Sequence, residues 1–134
     1  MGKKVAVQGM TLEIVNGLPS PVEGTITILG SPSLYGKADR KGIYLDGLSI
    51  SISNITSKTA PTPATIPDPV PKTSSINASS QAMRCDNGKK ALRVNDTSSS
   101  ISATPLIPGS PPVPYPVTFQ VKITDANQNV VEAK

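Results

Sequence analysis

With 134 residues, 14 prolines, 10 glycines and no histidine, the chain has the length of one domain with a modest core. Long helices are excluded, because proline removes a backbone donor and glycine costs entropy in a helix interior. The formal net charge of +4 is a mild excess, and it is dispersed over Lys3-Lys4, Lys37 with Arg40-Lys41, and Lys89-Lys90 with Arg93, interleaved with Asp39, Asp86 and Asp96. With three Tyr, one Phe and no Trp there is no aromatic platform among those charges, so they read as solvated turn faces and no nucleic-acid partner is expected.

The hydrophobic fraction is 37%, so the core must be built mainly from Val, Ile, Leu and Ala. An all-β, loop-rich protein with little or no helix follows. So thin a core points to a partner surface that supplies part of the burial.

In chain order, residues 4–15 predict a strand pair or one bent strand, with Met10, Leu12 and Ile14 on one face. Residues 16–24 read as a Pro-rich turn. Residues 25–29 alternate Ile26 and Ile28 against Thr25 and Thr27, and Gly30-Ser31-Pro32 ends them. Residues 36–42 form a charged turn. Asp46-Gly47, between Ile43-Tyr44-Leu45 and the alternating run Leu48-Ser49-Ile50-Ser51-Ile52-Ser53, is the strongest hairpin signal in the chain. Residues 58–80 carry five prolines between Pro61 and Pro71, which favour an extended segment wrapped on the β body, an exposed linker being the alternative.

Residues 82–100 hold the turn Asp86-Asn87-Gly88, a short strand Ala91-Leu92-Arg93-Val94 and a second turn at Asn95-Asp96. A unit this short cannot bury a face alone and must stack on others. Residues 105–116 are a second Pro-rich extended segment leading into a strand at 117–123. Residues 125–129 form a turn, and Val130-Val131 closes a terminal hairpin. Gly30-Ser31-Pro32, Gly109-Ser110-Pro111 and the looser Asn16-Gly17-Leu18-Pro19 stand beside period-two runs and suggest three similar β lobes within one domain spanning 1–134.

Residues that could carry chemistry are few. Without histidine, Ser-His and Cys-His nucleophilic dyads and histidine metal sites are excluded. Cys85 alone permits no intrachain disulfide and is a weak metal candidate, so a structural thiol is expected. Asp125-x-Asn127-x-Asn129 imitates the opening of a calcium loop, but Val130 stands where that loop needs glycine. Nothing in the sequence brings Glu13 and Glu23 together as an acid/base pair. No catalytic residue, cofactor or metal is expected, and the chain reads as a non-enzyme. No signal peptide or membrane span is visible, so synthesis in the cytoplasm is expected.

Two stretches resemble the repeating grammar of PAAR and PAAR-like spike-tip proteins. They are Gly30-Ser31-Pro32 after a strand, and Asn87-Gly88-Lys89, Ala91-Leu92-Arg93-Val94 and Asp96, similar to the family's Asn-Gly-Lys-Pro-Ala-Ala-Arg-Val-Gly-Asp unit. Lys90 replaces the family's Pro, Leu92 its second Ala and Asn95 its Gly. The pieces are short and cover about half of the chain. The resemblance implies a small conical fold of β lobes in pseudo-threefold arrangement. It implies a structural protein that caps a trimeric β-helical spike in a contractile injection system: type VI secretion, a phage tail baseplate or an extracellular tail-like particle. The partners would be the trimeric spike, one copy on a trimer, then a target membrane punctured in passing, with effector cargo an option. The particle would be delivered outside the cell. Zinc is held in that family by histidines with a cysteine, and the histidines are missing here, so no metal is expected. The competing reading is a small β-sandwich or fibre module of a virion or adhesin that stacks Tyr35, Tyr44 or Tyr115 on sugar. A basic nucleic-acid-binding barrel is a third, disfavoured by the scarce aromatics.

Overall fold

The structure, a computed structural model, describes residues 3–33, 37–38, 40–57, 63–78, 90–128 and 132–133. Among these residues the protein is all-β, with twelve short strands and no helix. The strands are β1 (Lys3–Lys4), β2 (Thr11–Leu18), β3 (Glu23–Ile28), β4 (Lys37–Ala38), β5 (Lys41–Gly42), β6 (Leu48–Thr56), β7 (Lys72–Ile76), β8 (Ile101–Ala103), β9 (Leu106–Ile107), β10 (Val113–Pro114), β11 (Val117–Asp125) and β12 (Glu132–Ala133).

The organising feature is a closed triangle of three short segments, residues 5–7, 43–45 and 91–93. Ala6 N donates to Leu92 O at 2.8 Å, Leu92 N to Tyr44 O at 2.9 Å, and Tyr44 N to Ala6 O at 3.0 Å. An outer set repeats the pattern: Gln8 N to Gly42 O, Asp46 N to Lys90 O and Val94 N to Lys4 O, at 3.1, 2.8 and 2.9 Å. Each segment thus gives to both neighbours and receives from both, and no edge is left open within the triangle. This is a pseudo-threefold arrangement. Three residues past the centre of each segment the chain turns through a left-handed residue: Gly9 (φ 86°), Gly47 (φ 80°) and Asn95 (φ 76°). Glycine and asparagine are the residues that hold this conformation at least cost.

From each corner a strand runs out and another runs back. The outgoing strands are β2, β6 and β8, and the returning strands are β3, β7 and β11. Ladders join β3 to β6, β6 to β7, β8 to β11 and β11 to β2, all antiparallel. A single bridge, Ile76 with Ser98, links β7 to the approach of β8. The sixth neighbour pair, β2 with β3, packs without a ladder. Around this circuit the inward side chains form one core: Ile50, Ile52, Ile55, Ile76, Phe119, Val121 and Ile123, with Ala6, Tyr44 and Leu92 closing the triangle end. Burying each large aliphatic side chain contributes roughly 1.5–3 kcal/mol. The flanking residues Val5, Val7, Ile43 and Ala91 point to the other face of the triangle, where they make a second, smaller cluster with Leu45.

Asparagines reset the phase of two outgoing strands. Asn16 (φ 56°) and Asn54 (φ 54°) are left-handed, and the pairing of β2 with β11 and of β3 with β6 slips by one residue beside them. Such a bulge reverses the side-chain phase. In β6 it sends Ile55 into the core behind Ile52.

The threefold plan expected from the sequence is therefore present, but on other residues. Gly30 lies at the triangle end, whereas Gly17 and Gly109 lie at the opposite end of the strands, so the three Gly-x-Pro sites are not equivalent. Asp46-Gly47 turns the chain but makes no hairpin: Leu45 bridges Ala91, and β6 pairs with β3 and β7, because the turn is a corner of the triangle. Ala91-Leu92-Arg93 is not a half-buried strand. All three residues are buried in succession, since the triangle is covered on both faces. Residues 16–24 are mostly strand, the turn being confined to 19–22. Within 58–80, the described residues 63–68 run extended, the chain bends at 69–70, and β7 follows, whose polar run Lys72-Thr73-Ser74-Ser75 concealed it. Residues 105–116 contain the small ladder of β9 with β10. The terminal strand β12 pairs with β1. Asn87, Gly88, Lys89, Cys85 and Val130-Val131 lie outside the described residues.

Candidate interaction face

At the end opposite the triangle, the described residues 19–22, 57 with 63–71, and 104–116 lie between the outgoing strands and the returning ones. All three are Pro-rich, and residues 18–22 and 104–116 contain no charged side chain.

One hydroxyl from each loop meets at the centre. Ser57 Oγ donates to Pro21 O at 2.9 Å, which uses its only proton. The 2.6 Å contact between Ser20 Oγ and Ser57 Oγ therefore has Ser20 donating. The 3.1 Å contact between Ser20 and the Tyr115 hydroxyl then has Tyr115 donating. Around this relay, Ser57 and Ala64 exchange two backbone hydrogen bonds, as do Ile66 and Leu106.

Asp68 ties the second loop to the third. Its Oδ1 accepts from Val70 N at 2.9 Å, its Oδ2 from Thr104 N at 2.8 Å, and Lys72 Nζ lies 3.4 Å from Oδ2. Burial by itself would raise this carboxyl's pKa, but the two amide donors and the Lys72 ammonium outweigh it and hold the pKa below the ordinary carboxylate value.

This end shows several large apolar side chains to solvent. Leu18 is 64% exposed, Val70 56% and Val113 54%, one from each of the three strand pairs. Prolines 19, 69, 108, 112 and 114 are exposed around them. A pocket of about 530 Å³ opens beside Leu18, lined by Pro19, Ala103, Pro116 and Val117 with Ser102, Thr104 and Thr118. Proline rings are held in place before any partner arrives, so little ordering entropy remains to be lost on contact.

The described residues among those singled out for the family motif lie at the other end. Gly30 packs against Leu48, Pro32 lies against Gly42, and Ser31 stands between them. Ala91 and Arg93 belong to the triangle, with Val94 following them, and Asp96 Oδ2 accepts from Arg93 N at 2.8 Å in the turn after it. Asp96 is thus a turn-closing side chain. Glu13 and Glu23 do line one shallow groove between β2 and β3, with Ile14 and Gly24, a proximity the sequence did not suggest.

Tyr44 is 7% exposed with its ring in the core, and burial raises its pKa. It offers no face for stacking on sugar. Tyr115 is half-buried and engaged with Ser20, and Tyr35 lies outside the described residues. Asp125 Oδ1 accepts from Asn127 N at 2.9 Å, which closes a turn over residues 125–127, and Asn129 lies outside the described residues. Among the described residues no three of His, Cys, Asp and Glu gather in a group that could hold a metal ion. No family model, no curated protein and no solved structure matches the chain.

Proposed function

We propose that the protein is a non-enzymatic structural cap, seated by its Pro-rich end on the blunt tip of a trimeric β-helical spike in a contractile injection system. The observation that carries this reading is the placing of Leu18, Val70 and Val113, one per strand pair, on the Pro-rich end of a pseudo-threefold body. A trimeric tip ends in apolar and strand-edge groups repeated three times, and a monomer with three similar corners can cover all of them at once. The resemblance of residues 30–32 and 87–96 to spike-tip proteins supports the same partner. In this role the chain needs no catalytic group, and its thin core is supplemented by the surface that it covers.

The test is co-migration with trimeric β-helical spike tips in gel filtration. The wild-type chain is expected to co-elute with its cognate trimer, and the variant Leu18→Ser/Val70→Ser/Val113→Ser to elute alone while keeping its own fold. Retained binding by the triple variant would remove the assigned face. Absence of binding by the wild-type chain to any such trimer would remove the cap reading.

A further inference from the structure

The circuit of strands around the core is closed unevenly. Between β7 and β8 the Ile76–Ser98 bridge is reinforced by Asn77 N donating to Thr97 O at 3.3 Å and by a 3.3 Å contact between the Ser74 and Ser99 hydroxyls. Between β2 and β3, among the described residues, no ladder or bridge forms. The core registers the difference. Beside the first seam the inward side chains Ile76 and Ile101 are buried, whereas beside the second Leu12 and Ile14 on β2 and Ile26 and Ile28 on β3 are only half-buried against the same core.

The backbone of the same four residues is turned toward the gap. In an antiparallel ladder alternate residues of a strand bond to one side and the rest to the other. Val121 O accepts from Ser98 N, and Ile123 O from Asn95 N, both on the β8 side. Gln120 and Lys122 therefore bond to their β2 partners Val15 and Glu13, which leaves the amides and carbonyls of Leu12 and Ile14 facing β3. Likewise Leu29 N donates to Ser49 O, so Thr27 and Thr25 bond to Ser51 and Ser53 of β6 and those of Ile26 and Ile28 face β2. Two strand edges thus flank a groove of about 320 Å³. Neither 11–15 nor 23–28 contains a proline or a lysine, the residues that most often blunt an edge. Glu13 and Glu23 stand at the rim. Glu23 has an interaction of its own within the chain, while Glu13 is exposed, with Lys122 across from it on β11.

We infer that the β2–β3 seam accepts one added strand: an extended segment of another protein, aliphatic at alternate positions and carrying lysine or arginine between them. Its main chain takes up the edge amides and carbonyls, its aliphatic side chains complete the burial of Leu12, Ile14, Ile26 and Ile28, and a cation meets Glu13. The carboxylates decide between occupants. The same edge of a second copy would bring Glu13 and Glu23 against Glu13 and Glu23, and like charges facing each other across strands are destabilising, so a basic strand of a different protein is the fit. The seam lies on the flank of the molecule, and the inference is independent of the cap reading.

The experiment is an NMR titration of the isotope-labelled full chain with the capped peptide Lys-Val-Thr-Val-Lys-Ile-Thr. Saturable shifts are expected at the amides of Leu12, Ile14, Ile26 and Ile28. The same peptide N-methylated at alternate residues keeps its charge and side chains but loses main-chain donors, and should bind at least about ten-fold more weakly. Glu13→Lys, an exposed substitution, should weaken the unmodified peptide roughly five-fold, and a peptide with Glu for both Lys should bind more weakly still. The Leu18→Ser/Val70→Ser/Val113→Ser variant should bind it like wild type, which separates this site from the proposed spike-binding face. No shifts, shifts centred elsewhere, or equal binding of the N-methylated peptide would overturn the inference. A dimer of the chain that the peptide dissociates, seen by sedimentation velocity, would assign the seam to a second copy instead.

Discussion

At the scale of single residues, the corners of the triangle depend on backbone conformation more than on side chains. Nothing lies within 4 Å of a Cβ added at Gly47, so Gly47→Ala is expected to cost only the left-handed strain, about 1–2 kcal/mol. At Gly9 the added methyl would collide with the Asn127 amide, which donates to Gln8 O at 2.7 Å. Gly9→Ala should therefore lose that hydrogen bond as well and cost about 1 kcal/mol more; urea denaturation of the two variants checks the order. Asp68 acts at the other end. Asp68→Asn leaves a carbonyl oxygen for only part of what the carboxylate accepted, and an expected loss of about 1–3 kcal/mol follows. Because the folded pKa of Asp68 is lowered, its contribution is present above the unfolded carboxylate pKa and fades as pH falls through the folded one. Wild type should lose stability over that acid window, and Asp68→Asn should lose less. Tyr44 has the opposite sign. Its raised pKa means stability present below the ordinary tyrosine pKa and lost as pH rises through the folded one, which phenolate absorbance during alkaline titration would show.

At the scale of elements, the triangle makes three remote segments interdependent, since each of residues 6, 44 and 92 both gives to and receives from another. The amides of Ala6, Tyr44 and Leu92 are expected to exchange with solvent together and among the slowest in the chain, through global opening alone. One of the three exchanging much faster would mean that the triangle opens locally. This element was hard to read in the sequence for a physical reason. Period-two patterning reports a strand with one dry face, and it placed Leu48, Ile50 and Ile52 correctly. Residues 91–93 are covered on both faces, so the alternation is erased. The usable signal was an echo: Val5-Ala6-Val7-Gln8-Gly9-Met10-Thr11 and Ile43-Tyr44-Leu45-Asp46-Gly47-Leu48-Ser49 match position by position, and the same offset carries Asn16 onto Asn54. The third copy, Ala91-Leu92-Arg93-Val94-Asn95-Asp96-Thr97, keeps the turn but has Asn for Gly and Asp for an apolar residue, which hid it. Strand β7 was missed because its ladder to β6 holds polar residues, with only Ile76 fully buried.

At the scale of the whole molecule, chemistry is sorted by end. Basic residues gather at the triangle, and Pro-rich loops with three exposed aliphatic side chains gather opposite it. The sequence shows the ingredients of both ends, since the prolines and the lysine pairs are plain in it. Their assembly was not legible, because Leu18, Val70 and Val113 come together only once six strands have run the length of the same core. A molecule with three similar corners and one apolar end is suited to cover a threefold partner with a single copy. Native mass spectrometry of the chain alone, and after mixing with a cognate trimeric spike, tests that claim most directly. A monomer that becomes a complex of one copy on three spike subunits is the expected result. A stable homotrimer that ignores the spike would contradict it and return the protein to the fibre-module reading.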